Sequence, residues 1–282
     1  MKGKIKLVVG LLFATAVVVQ ATPITAGLYV ELVADDITGV ADGASVTGWN
    51  DTQGNVSLAT YGGYTAPVFV SSDANFNNHS TVSFNHATLR DTTLGGTAPS
   101  TENMTVFMVA RFNAQPNANA EWLFQSQVSV AGNNNNRFRL ARTNVNWNNG
   151  AYQTRVGGGG GLITAAGAGA NTDLTLFNVR SGGNVVNLDV YTENGLIGSD
   201  TGANGAGQDW ARIVLGNSGN NNNYANANIA EMLVYDHALT TTEIAEVNAY
   251  LVNKYAIPEP ATLGLIAVMA GGLLFVRRRI MM

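Results

Sequence analysis

The nine residues from Met104 to Phe112, MTVFMVARF, constrain this chain more than any other stretch. Met104, Val106, Met108, Ala110 and Phe112 form one alternating set, and Thr105, Phe107, Val109 and Arg111 form the other. Side chains that alternate with a period of two belong to a β-strand. Both sets are largely apolar, so this strand is expected at the centre of a sheet, with Arg111 near a rim. The same period returns in short runs bounded by Gly, Asn, Asp and Ser clusters. These are Leu28–Ala34, a piece around Trp49, Pro67–Val70, Thr81–Phe84, Trp122–Val128, Arg137–Arg142, Tyr152–Val156, Leu174–Arg180, Val185–Thr192, Leu196–Asp200, Arg212–Leu215 and Ile229–Tyr235. Many short strands with turn signals between them predict an antiparallel, all-β body. Asn194-Gly195, between two of the runs, predicts a hairpin closed by a type I′ turn.

One helix is expected, from Thr240 to Tyr255. Thr240 and Glu243 have capping-box spacing, in which hydroxyl and carboxylate satisfy backbone N–H groups left free at a helix start. Glu243 and Glu246 lie near the positive end of the helix dipole and Lys254 near its negative end. Ile244, Val247, Leu251 and Tyr255 form an apolar stripe that would pack on the sheet, with the helix ending before Pro258.

The two ends follow a different logic. Lys2, Lys4 and Lys6 precede an apolar run from Leu7 to Val19, and Val19-Gln20-Ala21 offers small residues to a signal peptidase. Residues 1–21 therefore read as a signal peptide cut after Ala21, with Ala26 as a second choice. At the other end, Pro258-Glu259-Pro260 leads into an uncharged run from Ala261 to Val276, then Arg277, Arg278 and Arg279. Sixteen residues at ~1.5 Å each make roughly 24 Å of helix, short of the ~30 Å hydrocarbon core. The arginines would hold that end in the cytoplasm and place the body outside. This order resembles the PEP-CTERM sorting signal of Gram-negative bacteria. The resemblance implies a transient inner-membrane intermediate, residues 257–282 as its sorting signal, and a membrane-embedded exosortase that recognises and cleaves it. A permanent tail anchor is the alternative.

Between the ends, NIAEMLVYDHALTTTEIAEVNAYLVNKY, residues 228–255, resembles the closing strand and helix of laminin G-like, concanavalin A-like domains. Asn228 or Ala227 stands where glycine is usual there, and His237 where arginine is common. Trp49-Asn50-Asp51, Val82-Ser83-Phe84, Val106–Val109 and the Tyr191–Gly195 hairpin match more loosely. The resemblance implies a two-sheet antiparallel jelly-roll sandwich over residues 22–256, with one C-terminal helix packed on it.

Charge and composition exclude several chemistries. Six of the 15 basic residues lie in the two end segments, leaving 9 Lys+Arg against 18 Asp+Glu in the body, about −9. The basic residues are scattered along the chain with no basic stripe, which argues against nucleic acid as a partner. With no cysteine, thiol chemistry and Cys-ligated metal sites are ruled out. A glycosidase needs two carboxylates flanking the scissile bond. The E-x-D-x-E strand pattern of concanavalin A-like glucanases is missing, Asp189 and Glu193 are split by a turn, and Glu231 and Asp236 fall on opposite faces. His79 and His86 lie in polar surroundings, and His237 sits at a strand-to-helix corner suited to a local hydrogen bond. Calcium favours oxygen-rich loops, and Asp35 and Asp36 are its candidate ligands. Trp147, with Tyr152 nearby, is the candidate sugar-stacking aromatic, and Trp210 the second; Trp49 and Trp122 are assigned to the core. The expected protein is an exported, non-catalytic laminin G-like module. It would bind glycan or protein, extracellular polysaccharide in particular, at a cell surface or in an extracellular matrix. A glycan-cleaving enzyme and a purely structural matrix component remain open alternatives.

Overall fold

The computed structural model describes residues 23–257, apart from 92–93, 95–97, 116–118, 128–137, 144–150, 157–161, 166–171, 206–209 and 218–222. Residues 1–21, expected from sequence to be a signal peptide, and Trp147, Pro258, Glu259, Pro260 and Arg277–Arg279 lie outside the described residues. Among the described residues, no helix is long and apolar enough to cross a membrane.

In chain order the strands are β1 (Leu28–Val33), β2 (Gly48–Asn50), β3 (Ser57–Thr60), β4 (Val68–Asp73), β5 (His79–Asn85), β6 (Leu89–Arg90), β7 (Asn103–Phe112) and β8 (Glu121–Gln127). Then follow β9 (Arg139–Arg142), β10 (Tyr152–Arg155), β11 (Leu162–Thr164), β12 (Thr175–Gly182), β13 (Val185–Thr192), β14 (Gly195–Ala203), β15 (Arg212–Leu215) and β16 (Asn226–Tyr235), before helix α1 (Thr241–Tyr255). They form two antiparallel sheets. Sheet 1 runs β14-β13-β12-β7-β16-β5-β4, with β1 also paired to β16, and sheet 2 runs β11-β10-β9-β8-β15-β6-β3-β2.

The alternation of β7 explains how the layers stack. Met104, Val106, Met108, Ala110 and Phe112 point into the core between the sheets. Phe107 and Val109 point the other way, into a second apolar layer with Val247, Leu251 and Tyr255 of α1. The strand is central, between β12 and β16, because each of its faces has an apolar partner to cover it. From the opposing sheet come Trp49, Leu58, Leu89, Phe124, Leu140, Tyr152, Ile213 and Leu215. Gly216, at φ +80°, allows a tight crossing where any Cβ would overlap the Phe84 ring and the Ala87 carbonyl.

The helix has the expected capping box, with the Thr240 side chain accepting from the Glu243 amide and the Glu243 carboxylate accepting from the Thr240 amide. The hairpin between β13 and β14 also forms, but its turn differs from the expectation. Thr192 pairs with Gly195, so Glu193 and Asn194 are the central residues. Positive φ falls on Gly195 (+87°) and not on Asn194, which excludes type I′. β3, β6 and β11 were not foreseen: strands of two to four residues carry too few alternations to register as a period.

Candidate functional site

The two outer faces of this sandwich are treated differently. On sheet 1, α1 covers the outer apolar residues. The buried Glu231 carboxylate beneath it receives the Lys254 ammonium at 2.6 Å and the Tyr255 hydroxyl at 2.7 Å. Burial first, then the Glu231 charge, pushes the Tyr255 hydroxyl far above its ordinary pKa, so it stays a donor.

On sheet 2 the outer face collects arginines. Register places Arg155 opposite Arg139, Arg139 opposite Gln125, Gln125 opposite Val214, and Val214 opposite Arg90. Directly opposed residues share a face, so five consecutive strands carry one transverse row. The residues next to this row, Leu140, Phe124, Ile213, Leu215 and Leu89, point into the core. Arg212 sits two residues before Val214 and so joins the same face. The chain appears to scatter its basic residues, but the sheet gathers Arg90, Arg139, Arg155 and Arg212 from 123 residues of sequence. This corrects the expectation that no basic stripe exists.

The electrostatics of the row are unfavourable as they stand. Like charges directly opposed across strands are destabilising. Burial first, and Arg155 second, push the Arg139 pKa down to about 10. Burial, then Arg90, pushes Arg212 down as well. Among the described residues, no carboxylate forms an ion pair with Arg90, Arg139 or Arg212. The Nε atoms of all three are buried without a hydrogen-bond partner. An unsatisfied buried donor costs about 1–3 kcal/mol, so the row is held at some expense to stability.

Aromatic rings flank these charges. The Arg139 guanidinium lies 4.8 Å over the Trp122 ring and that of Arg90 lies 3.5 Å over Tyr61. From Tyr61 a line of rings continues to Tyr64 (5.8 Å), Tyr224 (6.3 Å) and His86 (5.1 Å). Tyr61 is 41% exposed, and His86 is exposed with a left-handed backbone, φ +54°. Trp122, assigned to the core from sequence, is buried instead on this outer face beneath Arg139. A bulge between Trp122 and Phe124 lets both residues turn away from the pattern of strict alternation.

The residues singled out from sequence go elsewhere. Tyr152 is fully buried between the sheets, 5.9 Å from Phe112 and 4.9 Å from Phe177. Trp210 is 3% exposed and stacks on Phe138 at 5.9 Å. Neither ring is available to a sugar. Asp35 Oδ2 meets His79 Nδ1 at 2.7 Å and its Oδ1 accepts the Ser80 amide at 2.7 Å. Burial raises the Asp35 carboxyl, but these partners outweigh it and hold it below the usual carboxylate range. Asp36 is exposed, and among the described residues no three His, Asp or Glu side chains converge as metal ligands. His237 makes its expected local bond, to Asp236 at 2.9 Å.

Two buried carboxylates, Asp51 (6% exposed) and Asp91 (4% exposed), bond to backbone amides near the β2–β3 end of sheet 2. Asp51 accepts the amides of Gln53 (2.7 Å) and Val56, and Asp91 accepts the amide of Ser57 at 2.7 Å. Burial raises the Asp51 carboxyl against the pull of those amides. Between them, burial first and then both carboxylates push the Tyr29 hydroxyl up to about 12. Asp91 follows Arg90 directly, so strand alternation turns its side chain away from the face that carries Arg90.

No protein-family model and no curated protein sequence matches the chain. Solved structures do. An arabinofuranosidase complexed with arabinofuranosyl-alpha-1,2-xylobiose is 14% identical with a TM-score of 0.60, over 83% of this chain and 60% of its own. A mutant GH54 α-L-arabinofuranosidase is 14% identical with a TM-score of 0.56, over 82% of this chain and 60% of its own. Trypanosoma rangeli sialidase is 13% identical with a TM-score of 0.52, over 82% of this chain and 33% of its own. The chain thus spans less than two thirds of the length of each. The expectation of a non-catalytic module is corrected by these likenesses, since the sandwich is shared with glycan-cleaving enzymes. The sequence-based exclusion rested on finding two acids along one strand. Acids far apart in the sequence, which strand pairing can bring together, escape such a search.

Proposed function

We propose that this chain is a glycan-cleaving protein that holds its substrate on the outer face of sheet 2. The observation that carries this is the row through Arg139 and Arg90, which among the described residues form no ion pair with a carboxylate, with the exposed Tyr61 and the half-buried Tyr64 and Tyr224 beside it. Flat rings stack on sugar faces, and planar guanidiniums bind oxygen atoms through paired hydrogen bonds. The fold shared with arabinofuranosidases and a sialidase supports the same reading.

The test is release of reducing ends from a panel of neutral and acidic polysaccharides. Activity on at least one polysaccharide is expected. No release from any polysaccharide would overturn the reading.

The site of action proposed is outside the cytoplasm. The body would be exported by residues 1–21, then released by an exosortase-type enzyme cutting near Pro258–Pro260. Alanines in place of Pro258, Glu259 and Pro260 should leave an uncleaved, membrane-retained form, and unchanged processing would argue for a permanent anchor.

A further inference from the structure

We infer that, while its tail is uncut, this protein sits against the bilayer with one defined part of its fold, the rim where α1 ends, and that the partner of this rim is the lipid headgroup layer. This rests on the membrane-tether reading above and adds the orientation of the body. The geometry starts at the end of α1. Ala256 takes a left-handed conformation, φ +50°, and the Ile257 amide turns back to donate to the Val252 carbonyl at 3.0 Å. The Ile257 side chain is 2% exposed and belongs to the apolar layer between α1 and sheet 1. The fold thus holds the chain up to the residue before Pro258, and the body yields no slack.

Only Pro258, Glu259 and Pro260 separate Ile257 from the apolar run that starts at Ala261. Four residue steps cover at most about 14 Å. The headgroup layer alone occupies roughly 5–8 Å on each side of the hydrocarbon. A helix of the apolar run, roughly 24 Å against a ~30 Å core, has no length to lend to the tether. The rim around Ile257 is thereby drawn down to the headgroups.

Ile257 lines a pocket with Asn75, Asn77, Leu174, Glu193 and Tyr255, and these residues define the rim. Asn75, Asn77 and Glu193 are exposed, and Leu196, just past the same hairpin turn as Glu193, is 52% exposed. Side-chain amides can donate to headgroup oxygens, and an exposed leucine is covered when it enters the interface. Among the described lining residues there is no lysine or arginine, and the Lys254 ammonium is taken by Glu231. The contact is therefore imposed by the short tether and not by headgroup charge. Val185, 44% exposed, opens the strand that ends at this turn. It lies eight residues before Glu193, roughly 25 Å away at ~3.3 Å per residue, and so stands clear of the bilayer.

The chain has no cysteine, so Glu193→Cys, Leu196→Cys and Val185→Cys each allow one fluorescent label at an exposed site. Each variant is purified from membranes of a host lacking the sorting enzyme, checked for an unchanged melting midpoint, and reconstituted into phosphatidylcholine vesicles with a quencher on some headgroups. Labels at positions 193 and 196 should lose most of their emission and the label at 185 almost none; the two near positions report on the same rim, so one that folds suffices. A Gly-Ser insert of about ten residues between Ile257 and Pro258, with a root-mean-square reach of roughly 16–19 Å, should remove most of that loss. Equal or stronger quenching at 185, or quenching at no position, in protein that floats with the vesicles would overturn the orientation and leave the tether in place. Quenching at 193 and 196 that the insert does not change would overturn the inference in favour of a rim that adheres by itself. Failure of the uncut protein to float with the vesicles would bring down the tether reading, and the orientation with it.

Discussion

The outer faces of the two sheets show how one sandwich can use the same geometry for opposite ends. Sheet 1 carries an apolar layer, and α1 is laid over it with Val247, Leu251 and Tyr255. The carboxylate left beneath the helix, Glu231, is matched by Lys254 and Tyr255. Sheet 2 carries arginines on neighbouring strands, and among the described residues no acid is paired with Arg90, Arg139 or Arg212. Glu231 meets a cation because a buried charge left alone costs several kcal/mol, although its Oε1 and both amide atoms of Asn178 on the same sheet have no hydrogen-bond partner among the described residues. The guanidiniums of Arg90 and Arg139 rest instead on the rings of Tyr61 and Trp122.

The contrast can be broken most directly on sheet 1. Lys254→Ala leaves Glu231 buried without its cation, and chemical denaturation should show a loss of about 3–5 kcal/mol. A loss under 1 kcal/mol would mean that Tyr255 alone satisfies the carboxylate. Leu251→Ala opens a cavity between α1 and the sheet and should cost about 2–5 kcal/mol, with the helix signal in circular dichroism lost at the same denaturant concentration as the sheet signal. On sheet 2 the sign should reverse. Arg139→Gln relieves a like-charge pair, and its stability should rise by a few tenths of a kcal/mol, within the ~0.2–1 kcal/mol span of cross-strand pairs; a loss above 1 kcal/mol would show that the row is structural.

The smallest effect is expected at the start of α1. The backbone N–H and hydroxyl of Thr240 hold the exposed Glu243 carboxyl below its ordinary value. A carboxyl with a lowered folded pKa adds stability above its unfolded pKa, and that contribution is lost as pH falls through the folded value. The melting advantage of the parent over Glu243→Gln should therefore be present at neutral pH and vanish in acid below the ordinary glutamate range.

Much of the sheet 1 side is legible in the sequence. The period of MTVFMVARF reports a strand covered on both faces, and Thr240, Glu243 and the stripe through Tyr255 report the helix that does the covering. These are local signals, each contained in fewer than twenty residues. The sheet 2 site is illegible for the opposite reason. Arg90, Arg139, Arg155 and Arg212 are isolated in sequence, and the Tyr61–Tyr64 pair looks like part of a glycine-rich loop. The alternation of Arg139 and Ala141 against Leu140 does place Arg139 on a solvent face, but nothing local says which arginine will face it. Tyr152 and Trp210 fail in the mirror sense: polar neighbours in sequence suggested exposure, whereas strand pairing turned both rings inward.

The sequence alone determined that this chain makes strands and where its helix begins and ends, because those depend on neighbours a few positions apart. Only the tertiary structure decided which charges stand together. Strand register joins residues tens of positions apart at ~5 Å, and electrostatic energy depends on that distance in space and not on separation along the chain.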